Sequence, residues 1–326
     1  MKLPRRKFLH LAAAAAALPA VSRTARALSY PTRPITMIVP FAPGGPTDVI
    51  GRVLAERMRD PLGQPVVVEN VSGGDGSIGV DRVARARPDG YTIGLGTLSW
   101  HILNGVFRSL PYHMLDDFQP IAPLVGYPLV MFARKTMPVN DLNELIAWLK
   151  ANPGKASFGT IAASTHFLSV SFQKETGTQF TIVPYRGSAQ VMQDLVAGQI
   201  DVSFDLPSQL PQMLAGSIKA YAVTSDARPA QAPDIPTFAE MGLPALSFSL
   251  WQGVFTSKST PADIIGQLNT AAVEALADPA VRSRFAALGL EIFPRERQTP
   301  EALAALQRSD VAKWLPIIKE LGIRAE

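Results

Sequence analysis

The residues best able to do chemistry lie in short loops between apolar runs and helix-like patterns. The first loop, Ala42-Pro43-Gly44-Gly45-Pro46-Thr47-Asp48, has the form of an anion site. Gly44 and Gly45 allow close backbone approach, Pro46 suits the first helical position, and the N–H groups freed at a helix start attract negative charge. Thr47 adds a hydroxyl donor. Asp48, in the third helical position, suits helix capping better than anion contact. Phe41 and Ala42 lead into this loop and complete its set of contact candidates. Many helices that bind nothing also open on glycine, so a plain helix start is the competing reading.

Further candidates lie downstream. Ser72-Gly73-Gly74-Asp75-Gly76-Ser77 is a ligand loop or a tight turn, and Thr97-Leu98-Ser99-Trp100-His101 offers Ser99 and His101. In Gly159-Thr160-Ile161-Ala162-Ala163-Ser164-Thr165-His166, Ser164 is an N-cap or a donor and Thr165 a second hydroxyl. His166 falls in the first turn, where the helix dipole disfavours its protonation, leaving a neutral donor or a buried structural histidine. Arg186, in Tyr185-Arg186-Gly187, could bind a carboxylate bidentately. Asp205 could accept from an amine, a hydroxyl or water. Trp251 fits core packing better than cleft lining, because a buried tryptophan is mainly apolar area.

Several chemistries are excluded or disfavoured. Neither glycine loop has the Gly-Lys-Ser/Thr of a phosphate loop or the spacing of a dinucleotide fingerprint. Ser99 with His101, and Ser164 with His166, lie outside Gly-x-Ser-x-Gly and are too local for a triad, so a hydrolase is the weaker alternative. Cysteine is absent, which removes disulfides, thiolate metal sites and a cysteine nucleophile. His101, His113 and His166 lack ligand spacing on one helix, and no metal or cofactor is expected.

The elements that must hold these loops alternate regularly. An apolar run at 37–41, a helix at 46–59, the run 66–68, a helix at 77–86 and the run 91–95 make a βαβαβ unit with near-continuous apolar strands. Right-handed crossovers set such strands parallel with helices on their faces. A second series starts near Leu129: a helix opened by Asp141 and Glu144, a strand at 156–159, a helix at 165–175, a strand at 181–183 stopped by Pro184, a helix at 188–197 ended by Gly198, then strands at 202–204 and 220–223. A strand at 248–255 returns, and helices at 262–277, 281–288 and 300–315 close the chain. The expected fold is α/β with two lobes, each a mainly parallel sheet flanked by helices, joined by two crossing strands near 127–130 and 246–254. The first lobe takes 28–128 and 248–326, the second 129–247, and a small ligand fits the cleft between them.

The N-terminal 27 residues read as an export signal: a basic start, an alanine-rich stretch from Phe8 to Leu18, then Ala25-Arg26-Ala27 as a cleavage site. Arg5-Arg6 ahead of Phe8-Leu9 fits a twin-arginine signal. The apolar stretch is shorter than the roughly 20 residues of a membrane span. The whole chain carries +4, and the leader holds six basic residues and no acid, so the mature part carries −2. Such a surface has no electrostatic footprint for nucleic acid.

The chain resembles the Bug-type receptors of the tripartite tricarboxylate transporter family. The similarity runs through Tyr30-Pro31-Thr32-Arg33-Pro34-Ile35, Ile38 to Asp48, Val68-Glu69-Asn70, Pro88-Asp89-Gly90-Tyr91-Thr92, Val183 to Gly187, Gly198-Gln199-Ile200-Asp201, Ala222 to Ser225 and Pro233 to Thr237. The resemblance implies a type II periplasmic binding fold, a monomer that closes around a carboxylated solute and delivers it to membrane permease subunits. It implies that the 43–48 and 159–166 loops hold one carboxylate through backbone N–H groups and ordered water, with Asp205 and the 185–187 turn near the other end. Two departures stand out: Ile161-Ala162-Ala163 carries no glycine where the family's second loop has it, and Asp75 stands where small neutral residues prevail. A receptor feeding a membrane sensor kinase would share the same fold and cleft.

Overall fold

The computed structural model describes residues 30–98, 110–185, 187–229 and 231–320. The signal segment, Ser99, His101 and Arg186 lie outside the described residues.

The chain runs β1 (Ile35–Val39), α1 (Pro46–Leu62), β2 (Val66–Asn70), α2 (Ser77–Ala84), β3 (Thr92–Thr97) and β4 (Phe118–Pro128). Then follow β5 (Val130–Arg134), α3 (Leu142–Ala151), β6 (Ser157–Thr160), α4 (Ala163–Thr176), β7 (Thr181–Pro184), α5 (Ser188–Ala197), β8 (Val202–Asp205), α6 (Leu210–Leu214) and β9 (Ile218–Val223). Last come β10 (Ser249–Ser257), α7 (Ala262–Ala277), α8 (Pro279–Ala287), β11 (Glu291–Ile292) and α9 (Pro300–Glu320).

Two sheets result, ordered β11-β4-β10-β3-β1-β2 and β7-β6-β8-β5-β9. In the first, β1 to β4 point one way and β10 and β11 run against them. In the second, only β5 runs against the others. The near-continuous apolar strands explain this layered arrangement: Ile35, Met37, Ile38 and Val39 are fully buried, which requires cover on both faces. The cover on one side is α1, whose Ile50, Leu54 and Met58 are also fully buried. Gly51 makes the contact close, since a Cβ there would lie 2.9 Å from the Val39 side chain. In the second lobe Asp141 caps α3 by accepting from Glu144 N–H at 2.8 Å, and Glu144 answers by accepting from Asn140 N–H at 2.7 Å.

β4 is the element the sequence conceals. It is 11 residues long and contains Pro120, Pro123 and Pro128, which read as loop. The structure accommodates them with two bulges against β10, leaving Leu124 and Ile121 without an opposite residue. Their carbonyls are used from elsewhere: Phe293 N–H donates to Leu124 O at 3.2 Å and Asn269 Nδ2 to Ile121 O at 2.8 Å.

The chain passes from the first sheet to the second at Leu129 and returns between Val223 and Ser249. Thr224 joins the two passages. Leu129 N–H donates to its Oγ1 at 2.9 Å, and that hydroxyl donates to Phe248 O at 2.5 Å. A third link comes from α9, where the Trp314 ring meets Phe248 at 4.9 Å and Phe167 of α4 at 5.4 Å.

Candidate functional site

Helix α1 starts at Pro46 behind an N-cap, Gly45, that has no side chain to satisfy the first amides. Asp48 works from inside the turn instead. Its Oδ2 accepts from Gly44 N–H and Arg52 Nε, both at 2.9 Å, and its Oδ1 from Asn70 Nδ2 at 2.8 Å. Asn70 Nδ2 also donates to Phe41 O at 3.0 Å, so one amide fastens both ends of the loop. Gly44 sits at φ +85°, a left-handed conformation that glycine adopts without a steric penalty. Burial pushes the Asp48 carboxyl up, but the hydrogen bonds from Arg52, Gly44 and Asn70 outweigh it and hold the group below the usual carboxylate range. The first ladder bond is Val49 N–H to Gly45 O at 3.0 Å, leaving the Thr47 and Asp48 amides ahead of it without an intrahelical acceptor.

Helix α4 starts the same way by other means. Its N-cap is Ala162, not Ser164, and again no side chain caps it. Ser164 lies inside the first turn at 2% exposure. The Thr165 hydroxyl accepts from Ile161 N–H at 2.8 Å and Ala162 N–H at 3.2 Å while donating to Ala162 O at 3.0 Å. The ladder begins with His166 N–H to Ala162 O at 3.1 Å, so the amides of Ala163, Ser164 and Thr165 stand ahead of it.

The two helix starts meet on a cavity of about 190 Å³. The first lobe contributes Phe41, Ala42, Gly45 and Thr47, and the second contributes Ser164, Thr165 and Asp205, all of them candidates from the sequence. Gly44, Asp48 and His166 are not among the lining residues: Asp48 and Gly44 spend their polar groups on each other behind the loop. Trp251 does not line it either; it is buried, with Nε1 donating to Asp310 Oδ2 at 2.6 Å.

Sequence reasoning missed Tyr127 in the first passage between sheets, Ser188 at the start of α5, and the buried Gln252 behind them. Gln252 Nε2 donates to Thr47 Oγ1 at 3.1 Å and to Tyr127 OH at 3.4 Å, while its buried Oε1 has no partner among the described residues. Burial pushes the Tyr127 phenol up to about 12, against the Gln252 hydrogen bond, so it stays a donor. Ser188 is signalled only by following Gly187 after a strand.

Asp205 is 2% exposed at the end of β8. Its Oδ2 accepts from Ser188 Oγ at 2.5 Å and its Oδ1 from Leu206 N–H at 2.7 Å. Burial pushes this carboxyl up to about 6, with those two hydrogen bonds opposing the rise. Among the described residues no lysine, arginine or histidine lines the cavity. An anion held there would rest on amides and hydroxyls.

The family model for the "Tripartite tricarboxylate transporter family receptor" matches residues 50–323. Among solved structures, the periplasmic binding protein BugD is 36% identical with a TM-score of 0.84, the alignment covering 91% of this chain and 100% of BugD. MatC from Rhodopseudomonas palustris, solved with bound malate, is 33% identical with a TM-score of 0.83, over 89% of this chain and 100% of MatC. R. palustris Rpa4515, solved with adipate, is 31% identical with a TM-score of 0.83, over 90% of this chain and 98% of its own. No helix among the described residues is long and apolar enough to cross a membrane. With so much of its length matched and its cleft built at the strand ends of two lobes, the chain belongs to the Bug-type receptor family of the tripartite tricarboxylate transporters, a family of periplasmic solute-binding proteins.

Proposed function

We propose that this protein is exported with a cleaved twin-arginine signal and captures a small carboxylate-bearing solute between lobes formed by 28–128 with 248–326 and by 129–247. It then delivers the solute to the permease subunits of a tripartite tricarboxylate-type transporter, binding reversibly and without turnover. The observation that carries this reading is the pair of helix starts, α1 and α4, whose N-caps carry no capping side chain and whose first-turn amides stand ahead of the ladder at one cavity. Each helix start favours an anion by about 0.3–1 kcal/mol when exposed and up to about 2 when partly buried. The malate and adipate held by two relatives fit a carboxylate at this place. The contacts are assigned to Phe41, Ala42, Gly45, Thr47, Ser164, Thr165 and Asp205 from the lining, with Ser99, His101 and Arg186 kept as candidates from the sequence.

A thermal-shift screen of mono-, di- and tricarboxylates and amino acids tests the reading. A true ligand at 100 times its Kd stabilises by about 2.7 kcal/mol, a shift well above noise. If no carboxylate moves the transition while an ester or amide is consumed, the receptor reading fails. Replacing Arg5-Arg6 by Lys-Lys should trap folded, ligand-competent protein in the cytoplasm; unchanged export would point to the general secretory route.

A further inference from the structure

We infer that the solute selected here carries, besides its carboxylate, a hydrogen-bond donor such as an ammonium or hydroxyl group, which Asp205 and Ser188 receive. The inference rests on the carboxylate-binding reading above and narrows its substrate class.

The cavity offers both hydrogen-bond donors and acceptors. Around the α1 and α4 starts it presents donors in the first-turn amides, with the Thr47 and Tyr127 hydroxyls bonded to Gln252 beside them. On the second-lobe wall it presents acceptors. Asp205 is a buried carboxylate whose two oxygens each receive one protein hydrogen bond, from Ser188 Oγ and Leu206 N–H. A carboxylate oxygen accepts twice, so each retains capacity for a second donor. Ser188 has given its proton to Asp205 and receives Gln209 Nε2 at 3.4 Å, which leaves its oxygen an acceptor as well. The lining also includes the apolar Phe204, Leu206 and Leu250.

A dicarboxylate brings no donor to Asp205 and Ser188, and any carboxylate set against Asp205 in a poorly hydrated space meets a like charge where repulsion is strongest. A solute that brings a donor to Asp205 and Ser188 completes their acceptor set, and buried acceptors left unfilled are costly. The elevated proton affinity of Asp205 agrees with an acid lacking a cationic partner among the described residues.

The test is isothermal titration at pH 8 with three acids of equal chain length, glutarate, 5-hydroxypentanoate and 5-aminopentanoate, repeated one carbon shorter and longer. Wild-type protein should bind a donor-tipped acid at least about tenfold more tightly than the matching dicarboxylate, a difference of about 1.4 kcal/mol. Asp205→Asn should reduce that ratio to about threefold or less, with a melting curve showing it folded. Should that variant not fold, the wild-type ratio decides alone. Dicarboxylates preferred at every length, or a ratio unchanged in folded Asp205→Asn, would overturn the inference while leaving carboxylate binding intact. A dicarboxylate preference lost in Arg186→Gln would also overturn it, by giving the second end to that cation. Absence of binding by all the acids would overturn the carboxylate reading itself.

Discussion

Each lobe buries an aspartate at a strand-to-helix junction beside the cleft, and the two are treated in opposite ways. Asp48 is 3% exposed and Asp205 2%, so desolvation acts on both. Asp48 is answered by Arg52, Asn70 and Gly44, stays ionised, and braces its loop from behind. Among the described residues Asp205 is answered by a hydroxyl and one amide, and burial pushes its carboxyl up to about 6. Burial alone therefore does not fix what an acid does; the count and charge of its partners does. The same contrast follows their places: the acid with several polar partners is off the cavity wall, and the one with fewer among the described residues is on it.

The comparison can be broken most severely at Asp48. Asp48→Ala should cost about 3 kcal/mol by leaving the Gly44 amide and one Asn70 Nδ2 proton unanswered and Arg52 without its carboxylate. Urea unfolding measures it, and ligand affinity should fall with the loosened loop. Because the folded-state carboxyl is held below its ordinary value, its contribution is present above about pH 4 and is lost as pH falls through the lowered value. The gap between wild type and variant should therefore close in acid.

Asp205→Asn should act with the opposite sign, raising stability by about 3 kcal/mol at pH 8, since a shift from 3.8 to about 6 penalises the ionised form. That penalty builds between about pH 4 and 6, is complete above it, and is absent below about pH 4. A pH-independent difference, or a loss at pH 8, would show that Asp205 is better partnered than its contacts indicate.

A second contrast lies between the helix starts themselves, one braced by a charge and the other by the Thr165 hydroxyl. Thr165→Val should cost about 1.5 kcal/mol, because Ile161 and Ala162 lose the acceptor of their amides, with no pH dependence between 4 and 8. The smallest stability effect is also the most pointed. Ala162→Ser supplies the missing N-cap and should gain about 1 kcal/mol. Its new hydroxyl oxygen takes up a first-turn amide, so ligand affinity should drop although the protein becomes more stable. A variant both more stable and equally tight would show that the α4 amides do not meet the ligand.

Much of this was readable in advance. Strands whose apolar runs are unbroken, such as Met37 to Val39, announce themselves, and so does a capping pair such as Asp141 with Glu144. β4 did not, because its prolines suppress the strand pattern locally and are tolerated only through bulges whose carbonyls are used by the distant Asn269 and Phe293. At the site, the loops were found because glycine, proline and hydroxyl spacing is a local signal. Tyr127, Ser188 and Gln252 were not, since their place at the cavity depends on pairing between strands distant in the chain. The role of Asp48 was half visible: its helix position indicated a cap, whereas its partner Asn70 lies on the neighbouring strand.

The contact of Trp314 with Phe167 has a spectroscopic consequence. Its indole lies 5.4 Å, centre to centre, from a ring three residues beyond Ser164, on the helix whose first turn lines the cavity. Any rotation of the second lobe relative to α9 alters the packing around that indole. Ligand titration should then register as a change in tryptophan emission that Trp314→Phe removes, making the C-terminal helix a built-in optical gauge of how far the lobes have turned.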